Sequence, residues 1–587
     1  MKLCRICRRV RSAKLSLVVL APQKGAKMGK KLLTLFATLS FLFAEPLIHE
    51  LEAKPLQKSG YNLYFKYCSM CHGKQREGVS APPLLPNFIK KLSDERLRDI
   101  IKNSLPQTLM PKFDFLSDEE IQKIITYLRT PAKEIRWSKE DIEKSKKSFS
   151  NKPKDLHIKD IDNVTLVVER GADRVWVMED EKVLDKFGFN NVHGGLKYTL
   201  DGKNFYVPTR DGWIGHYSLE HGRLENKVRA CVNLRNVSLS RDGKYLFATC
   251  LLPQMVVVFN REKLIPIKIY PVDGKISALY ELYSKDEAIF TLRNKPLLYK
   301  VDTKTLEFRS YPLDKPIEDF FIDPFEEYII GTTRHGKDLR VYNIDTLKEE
   351  FNASIEGMPH LFSATYWYRD GKFYFATPHL RKPYVTIWQM YDWKLVKKID
   401  VGGDGFFVKT HPQSEYLWID NGTDELVLVN KKDYSIQKKI PRKDKQYIHT
   451  EFSGDGKYAY LSIYESDGDL LVWQTDTFKE IKDYKANVPV GKYNFINKNR
   501  IFYPRLFGLS IFKEKCWGCH HQTAMAFGPP FSEIAKKRSR DEMIAQILDP
   551  KNASKHLGYK RSVMPAFKLS PKELKSITDY IMSFKDK

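Results

Sequence analysis

The residues with the clearest chemistry are two Cys-x-x-Cys-His runs: Cys68-Ser-Met-Cys71-His72 near the start of the chain and Cys516-Trp-Gly-Cys519-His520 near its end. This spacing suits covalent haem attachment. Two thiols add across the haem vinyl groups, and the adjacent histidine is delivered beneath the iron as an axial ligand. Each run precedes a Met-Pro pair, Met110-Pro111 and Met564-Pro565. A thioether is the expected sixth ligand of an electron-transfer centre, where it raises the potential. Cys68, Cys71, Cys516 and Cys519 are therefore the expected anchors of two haems c, with His72, Met110, His520 and Met564 as iron ligands. Zinc or a disulfide is the competing use of Cys-x-x-Cys, but no second cysteine pair lies near either run. A core position is the competing use of each methionine. His521 reads as a surface residue.

Both runs must be held by helices. Over residues 56–131, Tyr61 to Tyr67 leads into the first run, and Asp94 to Asn103 has an amphipathic pattern. Ser117 and Glu120 cap a last helix through Leu128, stopped at Thr130-Pro131. Over residues 505–587, Arg540 to Leu548 and Ser570 to Phe584 are amphipathic, the latter capped by Ser570 with Glu573. Both segments resemble class I cytochromes c. A charged, lysine-rich stretch, 132–157, reads as a linker.

Residues 158–503 have another texture. Short β-branched and aromatic runs alternate with turn signals. Asp201-Gly202-Lys203, Asp242-Gly243-Lys244, Asp370-Gly371-Lys372 and Asp455-Gly456-Lys457 mark hairpins, with degenerate copies at 283–292, 323–332 and 411–420. A period of roughly 40–45 residues with about four strands is a propeller blade. Seven hairpins and an earlier strand pair near 164–178 predict eight blades. The expected fold is an all-β eight-bladed propeller flanked by two all-α cytochrome c domains. Cys231 and Cys250 fall on neighbouring strands of one blade, as a disulfide or as buried thiols.

Val192-His193 through Lys203, followed by Thr209-Arg210-Asp-Gly-Trp213, resembles the haem d1 propeller of cytochrome cd1 nitrite reductase and its relatives. Leu234-Arg235-Asn-Val-Ser238, Gly357-Met-Pro-His360, Thr377-Pro-His-Leu380, Lys409-Thr-His-Pro412 and Pro489 to Phe495 extend the likeness. The resemblance implies one non-covalent haem d1, with His193 as its proximal iron ligand. It places Arg235 where an arginine grips a carboxylate of the macrocycle. The reductases set two histidines over haem d1. The second maps onto His360; the first falls near Glu318, where no histidine stands, so Glu318 is the candidate substitute. The arginine that follows the second histidine is also missing, since Leu361-Phe-Ser363 follows His360. The stretch after Arg235 is similar, too, to non-reductase relatives that act in haem d1 assembly. His379, His411 and His449 are expected to be structural hydrogen-bonders, and His216, His221 and His335 turn or surface residues.

The 587 residues, 42% hydrophobic and 29% charged, suit three or four packed domains. The net charge of +25 is spread along the chain. It reads as a lysine-rich solvated face or as steering toward an anionic substrate or acidic partner; no basic helix suggests nucleic acid. Met28 to Ala44 has the basic start, apolar run and small-residue end of a signal peptide within a leader 1–44, with Met28 as an alternative start and an uncleaved anchor as the alternative reading. Cys4 and Cys7 have no assigned role. A periplasmic protein without a stable membrane span is expected, served by small soluble electron carriers; a homodimer is compatible. Two reactions fit the site: nitrite reduction to nitric oxide, the leading expectation, and oxidation of a dihydro-haem d1 precursor. A third reading is electron transfer alone, with the propeller as a scaffold.

Overall fold

The computed structural model describes residues 55–587 apart from positions 106–107, 194, 335–336, 371, 501, 560–561 and 586–587. The leader, with Cys4 and Cys7, and His335 lie outside the described residues.

Eight antiparallel sheets form the middle of the chain. The reason lies in the burial of each strand. In Gln254–Asn260 the run Met-Val-Val-Val-Phe is buried on both sides, because each blade packs face to face against its neighbours. Outermost strands such as Ile436–Pro441 are mostly exposed and mostly polar. The Asp-Gly turns between first and second strands are built alike. Gly202, Gly243 and Gly456 have φ of +72°, +70° and +75°. The preceding Asp accepts from the backbone N–H of Lys203, Lys244 and Lys457 at 3.0 Å.

The repeat length reappears as the spacing of hydrogen bonds between neighbouring blades. Glu281 N donates to Ser238 Oγ, Tyr283 N to Glu326 Oε1, Ser363 Oγ to Phe406 O and Lys492 N to His449 Nδ1, each pair 43 residues apart. The ring closes on a composite sheet. Its innermost strand, Pro489–Asn494, pairs with Val164–Glu169 from the other end of the propeller sequence. Asn494 locks the seam: its Nδ2 reaches Asp162 O, Val164 O and Thr165 Oγ1, and its Oδ1 caps Ile496 and Asn497.

The helical ends follow their caps. Asp94–Asn103 starts at Ser93, and Asp118–Arg129 and Pro571–Met582 start at the capping boxes Ser117/Glu120 and Ser570/Glu573. Arg76 ties the first haem run to its closing helix by donating to the carbonyls of Tyr127, Leu128 and Thr130. The stretch 132–157 is not a free linker. It holds the helix Lys139–Ser145, and Lys147–Ser148 adds a fifth strand to Arg223–Arg229. Two apolar residues hidden in its lysine-rich composition anchor it. Ile142 is buried among Ile214 and Val228, and Trp137 Nε1 donates to Arg229 O.

Gly60–Lys587 packs as one unit. The two helical domains dock on opposite faces of the propeller. Around Leu85 and Phe88, the N-terminal domain meets loops at the entry ends of the innermost strands. Leu85 packs on Val232 and Leu252, and Lys275 Nζ lies 3.3 Å from Asn87 O and 4.5 Å above the Phe88 ring. The C-terminal domain meets turns at the exit ends. Arg241 pairs with Asp541 at 2.6 Å, Arg505 with Asp162 at 2.8 Å, and Phe507 packs on Phe325 and Phe373. Among the described residues, no helix is long and apolar enough to cross a membrane.

Candidate haem sites and propeller pocket

The two Cys-x-x-Cys-His runs have matching local geometry. His72 Nδ1 lies 2.8 Å from Pro82 O, and His520 Nδ1 lies 2.8 Å from Pro529 O. Nδ1 must donate to a carbonyl, so Nε2 keeps its lone pair for a metal. A Cβ at Gly528 would come within 2.6 Å of His520 Cε1, so glycine is needed for this approach. None of the four run cysteines is tied up in a disulfide. Met110 and Met564 sit half-buried against the cores of their domains. The donor set at each end fits a covalent haem with His and Met ligands.

The second site lies in the propeller, where the entry ends of the innermost strands converge. His193 stands there with four guanidinium groups acting on it, those of Arg210, Arg170, Arg235 and Arg293. Arg210 Nη2 lies against the His193 ring, 2.5 Å from Nε2 and 3.0 Å from Nδ1, so it would have to shift for that ring to take a metal. Burial, then these cations, hold the imidazole well below its usual range, which keeps it neutral. Burial and the neighbouring arginines lower Arg235 to about 9 and Arg210 to about 10. Buried Nε atoms of Arg210 and Arg293 have no hydrogen-bond partner. Crowded, desolvated cations with open donors are costly unless an anion completes them. A planar macrocycle rich in carboxylates would do so, and a tetrapyrrole iron would take His193. The Arg235 guanidinium lies 4.8 Å from the Phe362 ring. Arg170 and Arg293 were not foreseen; each lies just past a strand end, and only the blade arrangement turns them inward.

Glu318 is placed differently from expectation. Its buried carboxylate is 3.2 Å from Arg293 Nη1 and 2.7 Å from Arg334 Nη2. The partner of His360 is instead Asp319, with Oδ2 2.9 Å from Nδ1. Asp319 was missed, although it precedes His360 by 41 residues, one blade repeat. The ring of His360 is collared by Phe362, Phe406 and Phe407 at 6.0–6.4 Å.

His449 makes the structural bond expected of it, its Nδ1 accepting from Lys492 N at 3.3 Å, and its ring also lies beside the His360 collar. Phe407 touches both histidines, at 6.1 Å from His360 and 4.6 Å from His449. The φ of His449 is +55°, in the left-handed region, and its N–H donates to Asp420 Oδ2 at 2.8 Å. Burial and Lys492 keep it well below the usual imidazole range. Tyr493 lies 5.9 Å away. His379 and His411 are structural as expected: both ring nitrogens of each are bonded within the propeller. His216 is no turn residue. It lies on Trp213–Ser218, bonded to Asn204 Oδ1 and stacked on Tyr206. Cys231 and Cys250 form a disulfide with Cα atoms 6.2 Å apart.

Fold and site together define a c-type cytochrome carrying a propeller with a tetrapyrrole pocket. The chain belongs to the cytochrome d1 haem domain family, whose model matches residues 159–498. Residues 55–128 match the model for cbb3-type cytochrome c oxidase subunit III, and 508–585 match cytochrome c. The chain is similar to the dihydro-haem d1 dehydrogenase of Pseudomonas aeruginosa: 30% identical over 464 residues, covering 75% of this chain and 94% of the relative. It is 24% identical over 327 residues to Protein NirF of the same organism, covering 51% of this chain and 81% of that one. A solved structure of dihydro-haem d1 dehydrogenase NirN in complex with DHE superposes with a TM-score of 0.64 at 30% identity, covering 75% of this chain and 99% of that one. These likenesses favour the assembly-related alternative over nitrite reduction.

Proposed function

We infer that the protein is an exported dehydrogenase that oxidises a dihydro-haem d1 precursor and passes the electrons to covalent haem c. The observation that carries the direction is the 30% identity to a dihydro-haem d1 dehydrogenase across 94% of its length. The pocket accords with it: His360 is oriented by the buried Asp319 carboxylate and can act as a base, while Glu318 is held between Arg293 and Arg334.

Removing two hydrogens releases two protons and two electrons. His193 would hold the substrate iron, while Arg210 and Arg235 grip its carboxylates. Asp319 accepts the Nδ1 proton of His360, so that Nε2 can take a proton from the substrate. The second proton would leave to solvent water. When bound, the N-terminal haem c provides a one-electron acceptor beside the pocket; the charge of Arg210 already acts on His72. Two covalent haems c and one d1-type tetrapyrrole are the proposed complement. A periplasmic location agrees with the signal-like leader and with the Cys231–Cys250 disulfide. Small soluble carriers would take the electrons onward.

Anaerobic mixing with the dihydro precursor tests this. The expected result is a red-absorbing product with reduction of c haem and, with nitrite and a reduced donor, no nitric oxide. Steady nitric oxide release without precursor oxidation would reverse the assignment.

A further inference from the structure

Roughly a quarter of this chain has no counterpart in the dehydrogenase relative, which covers 75% of it. Two features distinguish the C-terminal cytochrome domain. The first is its position. It docks on exit-end turns through Asp541, Arg505 and Phe507, whereas His193, Arg210, Arg293 and His360 gather at the entry ends, where the N-terminal domain sits. Inner strands of six or seven residues, at ~3.3 Å per residue, set the faces roughly 20 Å apart. Electron tunnelling falls exponentially with such a gap. The second feature is its surface. Trp517, Met525, Phe527 and Val563, in the haem-run and Met564 loops, are 62–77% exposed. Lys513, Lys551, Lys555 and Lys568 are exposed in the neighbouring segments. Residues 505–587 hold twice as many Lys and Arg as Asp and Glu. An apolar patch in a basic field suits an acidic partner, and a second copy of this basic chain would be repelled.

We propose that the C-terminal cytochrome is a separate electron port that serves an acidic redox protein and does not exchange electrons with the pocket-side haem inside one chain. This rests on both cysteine runs carrying haem, which the mass of the purified chain establishes first; a chain lacking haem at Cys516 and Cys519 overturns the port and leaves the pocket-side dehydrogenase reading standing.

The test attaches a ruthenium photoreductant to the full chain at a Lys536→Cys substitution, at an exposed position outside the proposed patch. A flash reduces the C-terminal haem, and its reoxidation is followed anaerobically. The port predicts a lifetime unaffected by Cys68→Ala/Cys71→Ala, which removes the other haem, and any transfer between chains proportional to protein concentration. A small acidic copper protein, oxidised, should shorten the lifetime in a second-order phase that slows as salt rises. A first-order, concentration-independent reoxidation lost in the double variant would overturn the separation. A salt-insensitive reaction with the copper protein would overturn the choice of partner.

Discussion

At the residue scale, the pocket depends on charges that are useful only together. His193→Ala should abolish tetrapyrrole binding and leave the c haems attached, read as loss of red absorption with an unchanged c-haem spectrum. Arg235→Met removes one charge-assisted contact, worth about 1.5–3 kcal/mol, so affinity should fall roughly 10–100-fold in a binding titration. Asp319→Asn keeps the size of the side chain but not the carboxylate that orients His360. Turnover should fall by about 10² or more with substrate affinity nearly unchanged. A proportional loss of affinity would mean that Asp319 only supports the fold of the pocket.

The blade is the element whose repeat explains most contacts, and buried histidines make it pH-sensitive. Burial lowers His379 and His411 from 6.5 to about 4. The unfolded chain therefore binds protons that the folded blade refuses. Stability from these groups is complete above about pH 6.5 and is lost as pH falls toward 4, by up to about 3 kcal/mol each. Urea midpoints at neutral and mildly acid pH check this, and His411→Gln should flatten the dependence. The closing sheet is the other weak point. Asn494→Ala strips several bonds from the seam, leaves buried carbonyls unpaired and should cost about 2–3 kcal/mol.

At the scale of the whole molecule, the proposed electron route depends on how the N-terminal domain docks beside the pocket. Leu85→Asp places a charge against Val232 and Leu252 and should undock that domain. Reduction of its haem by precursor should slow markedly, while haem content and tetrapyrrole binding stay unchanged. Equal rates in the variant would show that docking is not the electron route.

Much of this was legible in the chain itself because the signals are local. A Cys-x-x-Cys-His run, a Ser/Glu capping box and an Asp-Gly turn each need only a few neighbouring residues, and the hairpin period gave eight blades. The two Cys-x-x-Cys-His runs could be picked out that way, whereas His193 stood out only through the likeness to the haem d1 propeller. The Asp319–His360 pair, the inward turn of Arg170 and Arg293, the clamp on Glu318 and the place of His449 could not, because they join residues one or more blades apart. Whether those charges meet depends on ring closure, which brings loops distant in sequence to one axis. Composition also hid Trp137 and Ile142 among lysines, since burial depends on the surface they find. The separation of the two cytochromes onto opposite faces is likewise a property of the closed ring: a linear sequence places domains before and after the propeller, and only the packed strands decide above or below.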